Sequence, residues 1–338
     1  MKRVVKWMLI LWVTVVSLVA AGPVEVTQVT KPDGIFVADD MFYILEGTTI
    51  HMYKLKDNAY IGKFGKEGEG PGEIKKNPWG GPIFMVPHKG KLYITSMGKL
   101  SVFSKTGEFI REHKVNASDS YFPFADSFIC MGTQTTDDGK MVMALFMADK
   151  DLNRGELLYA SDFVVGMNVR FDFPMTPFYP DFTDDQIFVI AGKDGFAIDA
   201  FDKTGKKQYR IEKKEIPISV PASYRAETEK AFKRSSNFSS AWDFFKDRIT
   251  YKKTYPPILT FFINDGRIYV LTNKMKGDDR ECIVLDLKGK EIKRMTLPIP
   301  EQYGMEFSSL YTAYRSTFYQ LRENEDNETW ELHAISLK

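Results

Sequence analysis

The chain has 338 residues, 43% hydrophobic and 27% charged, with 46 basic against 45 acidic residues for a formal net charge of +1. That balance excludes the basic surplus of a nucleic-acid binder, while the length and composition suit a large globular core. Aromatic residues at 14%, including 26 Phe and 16 Tyr, lean toward β structure.

The first element is a leader. Lys2, Arg3 and Lys6 precede an uncharged run from Trp7 to Ala20, followed by the small residues Ala21 and Gly22. This is the layout of a secretory signal peptide over residues 1–21. The apolar run is short for a spanning helix, which needs about 20 residues. Cleavage removes three basic and no acidic residues, leaving residues 22–338 at −2. The expected location is secreted or periplasmic, with no stable membrane insertion after cleavage. The two cysteines, Cys130 and Cys282, sit inside apolar runs and read as buried thiols.

Next comes VEVTQVT, residues 24–30, an alternating strand with no neighbour in sequence to pair with. From there a polar turn and an apolar strand recur together: DDMFYILEG, KGKLYITSM, DGKMVMALF, DDQIFVIAG and DGRIYVLTN, with RSTFYQLRE as a weaker sixth copy. The equivalent positions are Phe42, Leu92, Met141, Ile187, Ile268 and Phe318, at intervals of 50, 49, 46, 81 and 50 residues. Each copy is followed by a strand, a tight turn and another strand, as in KLSVFSKTGEFIREHKV. Four strands per unit and six units predict an all-β fold, a six-bladed β-propeller spanning residues 22–338. The sixth unit is one strand short, so residues 24–30 are expected to pair with residues 330–335 and close the ring.

Between the first two units lies IGKFGKEGEGPGEIKKNP, residues 61–78, with five glycines and two prolines. It reads as the crossing from the outer strand of one blade to the inner strand of the next. FGKEGEGPGEI within it resembles the blade junction of NHL-repeat-like six-bladed propellers. The resemblance implies the propeller fold and, in bacterial members, secretion. It leaves activity open, because one propeller scaffold hosts many functions.

Other six-bladed propellers hold calcium or zinc in the channel. The expected inner strands, GIFVAD, PIFMVP, FICMGT, PFYPDF and LTFFIN, offer Asp181 and Asn264 at their ends and no full oxygen set. His51, His88, His113 and His333 do not share a blade position, which argues against a zinc site. ADKDLNRGE, residues 148–156, alternates oxygens at Asp149, Asp151 and Asn153 but misses the glycine and glutamate spacing of a calcium loop. A polar hairpin turn is the plainer reading. No metal and no cofactor are expected.

The long interval holds the one segment with helical signals, about residues 219–255. Tyr224, Ala231 and Phe232 fall at helical spacing, and Trp242, Phe245 and Ile249 repeat it further on. Two short helices are expected between blades 4 and 5, their aromatic side packed on the blades. Links between second and third strands, and crossings between blades, emerge on one face of a propeller. That face receives the glycine crossing, the insertion and the longest loops. It is therefore the expected partner face, with Glu69, Glu73, Asp149, Asp151, Asn153, Trp242, Phe245, Asp278 and Asp279 as candidate residues. The reading is an exported binding or scaffold module for a protein, peptide or glycan. The alternative is a channel-centred hydrolase or lyase resembling calcium-dependent lactonases.

Overall fold

In the computed structural model, residues 22–76, 83–164, 166, 169–175, 178, 180–192, 195–234, 239, 242–304 and 310–338 are described. Residues 1–21, the expected signal peptide, lie outside them, as do Ser240 and Ala241. Six four-stranded antiparallel sheets form the blades of a β-propeller. Their inner strands, in chain order, are Gly34–Ala38, Phe84–His88, Ser120–Phe124, Asp181–Phe182, Thr260–Asn264 and Tyr311–Tyr314. The hydrophobic core is a series of layers between neighbouring blades. One such layer joins Phe188, Ile198 and Ile211 of blade 4 to Phe261, Val270 and Ile283 of blade 5.

Ring closure follows the sequence expectation. Val24–Val26 is the outer strand of blade 6, with Val24, Glu25 and Val26 opposite Leu332, Glu331 and Trp330. Val26 and Val29 are buried, and the Trp330 indole donates to the Thr30 carbonyl at 3.0 Å. The strand that precedes blade 1 thus covers the edge that the blade 6 strand Thr329–Ser336 would otherwise leave open.

The repeat was misphased in blade 3. Met141 begins the third strand, Met141–Ala148, whereas the second strand is Ser127–Thr135. FICMGT is therefore not an inner strand; that place belongs to Ser120–Phe124. An Asp-Gly pair signals a hairpin without saying which hairpin. Here it marks the link between second and third strands, while the first link turns at Ala125, in left-handed backbone without glycine. The inner strand of blade 4 is also shorter than PFYPDF suggests, only Asp181–Phe182.

The glycine-rich crossing is a self-supported loop. Gly68 donates to the Ile74 carbonyl and Ile74 to the Lys66 carbonyl, at 3.1 and 2.8 Å. Ile74 is fully buried. Gly65 has φ +89°, and a Cβ there would stand 2.2 Å from the Thr48 carbonyl oxygen, so close backbone approach explains this glycine. From the blade 2 third strand, Lys99 reaches in to donate to the Gly70 carbonyl at 2.7 Å and to pair with Glu112 at 3.0 Å.

The insertion forms two helices, α1 (Tyr224–Arg234) and α2 (Trp242–Phe245). Tyr224 and Phe232 are buried against Phe171 and Phe173 of the blade 3 to blade 4 crossing. A two-stranded parallel ribbon, Phe171–Phe173 with Ile249–Tyr251, ties that crossing to the end of the insertion. Cys130 and Cys282 are buried free thiols, and burial pushes them up to about 11 and about 12 respectively.

Candidate functional site

Each blade has two faces of connections. Links between second and third strands, together with blade crossings, form the loop face. Links from first to second and from third to fourth strands form the turn face. On the loop face Glu73 is committed to the crossing itself, accepting from the Gly70 amide at 2.9 Å and from Lys66 at 2.8 Å. Glu69 is exposed and pairs with Lys75 at 2.5 Å. Asp278 sits in the blade 5 link between second and third strands and Asp279 opens the third strand, accepting from Thr296 at 3.3 Å. Trp242 and Phe245 pack inward on Phe232, at 5.3 and 5.4 Å between ring centres. They support the insertion and are not a free stripe. Beside the insertion, Tyr224, Tyr255, Asn273 and Gln302 line a cavity of only about 20 Å³.

Asp149, Asp151 and Asn153 require a correction. The misphased blade put them on the loop face. They connect the third strand of blade 3, ending at Ala148, to the fourth, Arg154–Val164, and so lie on the turn face. Asp149 accepts from the amides of Asp151 and Asn153, each at 2.9 Å, and from the Asn153 side chain at 2.9 Å. The Asn153 bonds hold its carboxyl below the usual range. Its oxygens serve the turn, as the plainer reading had it. Among the described residues, no group of three or more His, Cys, Asp or Glu side chains is placed to hold a metal ion.

The larger cavity opens at the centre of the turn face, about 720 Å³ at the mouth of the channel. Five blades supply its rim from the turns between first and second strands, including His88, Asp126, Asp184, Asp265 and Arg315. Phe124, Phe182, Ile263 and Tyr314 give it apolar walls. The size falls within the roughly 300–1,000 Å³ typical of small-ligand pockets. The turns are tight hairpins that demand left-handed backbone, met by Lys89-Gly90 and Asp265-Gly266. Blade 6 uses Arg315 and Ser316 instead, at φ 45° and 56°, so two side chains stand where glycine is cheaper. Lys89 donates to the Ala125 carbonyl at 2.8 Å and lies 3.3 Å from Asp126. Burial, with Lys89 adding to it, lowers the His88 pKa and keeps its ring neutral at pH 7. Loop length passes over this site because its turns are short; convergence at the axis makes the cavity.

Deeper in the channel, Asp181 bridges blades 4 and 5. It accepts from the Ile263 amide at 2.6 Å and the Phe182 amide at 2.8 Å. Burial outweighs these bonds and raises its carboxyl to about 6, from 3.8. The folded state therefore holds a proton that the unfolded chain releases between pH 4 and 6, and stability from this group falls as pH rises through that window. Relative to Asp181→Asn, the wild-type protein should gain roughly 2.5 kcal/mol between pH 7 and pH 4. Paired thermal melts across that range check it; a wild-type-minus-variant difference independent of pH would show that Asp181 titrates normally.

No protein-family model matches the sequence, and neither does any curated protein. Among solved structures, the chain is similar to the WD40 domain of Neurospora crassa Pan2, at 8% identity over 91% of each chain and a TM-score of 0.42. It is also similar to apo AztD from Citrobacter koseri, at 11% identity over 92% of this chain and 84% of that one, TM-score 0.41. Kluyveromyces lactis Hsv2 matches at 11% identity over 88% of this chain and 96% of that one, TM-score 0.39. The six-bladed ring rests on the strand pairing described above, and these likenesses carry nothing about ligand or activity.

Proposed function

We propose that the protein is an exported binding module of the NHL-like propeller type that takes its partner at the channel mouth of the turn face. The leader-like segment 1–21 supports export, and the FGKEGEGPGEI crossing supports the NHL likeness. The observation that carries the binding role is the cavity of about 720 Å³ with apolar walls and a charged rim. Among the described residues, no helix is long and apolar enough to cross a membrane. The partner classes open to such a mouth are a peptide, a protein loop or a glycan.

Blocking the mouth tests the reading. Ala313 lines the cavity, and Ala313→Trp fills part of it. Fragments found by NMR to bind the wild-type protein should lose their binding to this variant, with its melting temperature showing that it folds. Fragments that bind both proteins equally would place the site elsewhere.

The lactonase-like alternative needs a channel cation. A ligand bound by the folded state alone raises stability with the logarithm of its concentration. The melting temperature is expected to be the same in millimolar calcium and in chelator. A calcium-dependent rise of several degrees would instead favour the enzyme.

A further inference from the structure

Asn264 ends the inner strand of blade 5 and lines the channel mouth. It is only 7% exposed, yet its side-chain Nδ2 has no hydrogen-bond partner. Leaving a buried amide donor unpaired costs about 1–3 kcal/mol; Nδ2 is closed to solvent as it stands, so a turn of the side-chain amide is what brings it to an acceptor that enters the cavity. The rim adds a charge pattern. Asp126 lies beside Lys89, and Asp265 accepts from the Ser316 hydroxyl. Asp265 keeps its charge, since a hydroxyl neutralises nothing, and two further charges lack even that contact. Arg315 makes no ion pair among the described residues and lies over the neighbouring Tyr314 ring, 5.0 Å from its centre. Asp184 has neither an ion pair nor a hydrogen bond among them. These two stand on blades 6 and 4, flanking Asn264 on blade 5.

An occupant that satisfies all three groups carries an acidic group, a carbonyl or similar acceptor, and a basic group, on a body that tolerates the Phe124, Phe182 and Tyr314 walls. A neutral glycan supplies neither charge, and a bare anion is repelled by Asp184. We propose that the channel mouth binds a short peptide segment, with a backbone carbonyl on the Asn264 amide, an acidic group toward Arg315 and a basic group toward Asp184. This deepens the channel-mouth reading and rests on it. The peptide is either a free oligopeptide, which brings its own terminal charges, or a segment of a longer chain, which brings charged side chains.

The test uses the full chain, immobilised, with two random tetrapeptide mixtures, one with free termini and one capped at both ends. Mass spectrometry reads the retained sequences. The wild-type protein should enrich peptides bearing one acidic and one basic group at least tenfold. Preference for the free-termini mixture assigns the ligand as an oligopeptide, and preference for the capped one as a chain segment. Arg315→Gln should abolish selection for the acidic group while keeping that for the basic one, and Asp184→Asn should do the reverse. A folding defect cannot produce that split. Asn264→Leu should weaken retention of all sequences about tenfold. Enrichment unchanged in Arg315→Gln and Asp184→Asn overturns the proposal. So does retention of maltotetraose or chitotetraose without peptides, which leaves the channel mouth as the site if Ala313→Trp abolishes it. Peptide retention that survives Ala313→Trp overturns both readings.

Discussion

Truncating the chain to begin at Asp33 should cost the propeller its closure and much of its stability, relative to a chain beginning at Gly22. The outer strand of blade 6 is Val24–Val26, and with the next few residues it covers an otherwise open sheet edge. Val26 and Val29 are 2% and 4% exposed. Fully burying one such side chain is worth roughly 1.5–3 kcal/mol, and the Trp330 bond to Thr30 is lost as well. Against a typical total of about 5–15 kcal/mol, a loss of several kcal/mol should lower the urea midpoint sharply. The uncovered edge of Thr329–Ser336 should also pair between molecules, visible as concentration-dependent oligomers in sizing. A synthetic peptide of residues 22–32 added in trans should reverse both effects. A truncated chain that melts within a degree or two of its parent would mean that the ring holds without this strand.

The ring, its closure and the place of the insertion were legible because each rests on a pattern the chain repeats or lacks. Alternating strands joined by Gly-containing turns recur, and the missing strand of blade 6 has an obvious donor. Phase was less legible. Blade 3 has strands of nine, eight and eleven residues after its inner one, long enough for its Asp-Gly turn to pass for the one a strand earlier. The true first turn, at Ala125, lacks the glycine that marks Lys89-Gly90 and Asp265-Gly266. That slip carried Asp149, Asp151 and Asn153 to the wrong face. The channel mouth was illegible for a different reason. Asp184, Asn264 and Arg315 lie in three separate repeats, each in an ordinary hairpin, and only closure of the ring gathers them. The place of Asn264 at the end of an inner strand is legible in the sequence, but its unpaired amide is a property of burial that no spacing reveals.

The insertion is a satellite of the propeller, and Phe232→Ala should show it. Phe232 is 1% exposed, within 6.0 Å of the Phe173 ring and 5.3 Å of the Trp242 ring. Truncating a buried Phe to Ala removes about 3–5 kcal/mol. Helices of 11 and four residues have almost no stability of their own, so they hold only while this aromatic cluster does. The six blades keep all their strands without it. The loss should therefore appear as local opening, a sub-global unit lying below the global unfolding energy. In hydrogen exchange, amides of Tyr224–Arg234 and of the ribbon Phe171–Phe173 with Ile249–Tyr251 should lose protection. Those of Met41–Glu46 and Lys91–Ser96 should keep theirs. The insertion is a blade crossing and belongs to the loop face, so peptide retention at the channel mouth should be unchanged. Uniform loss of protection across all six blades would instead make the insertion part of one cooperative core, and lost peptide retention in a variant with intact blades would couple the two faces through the channel.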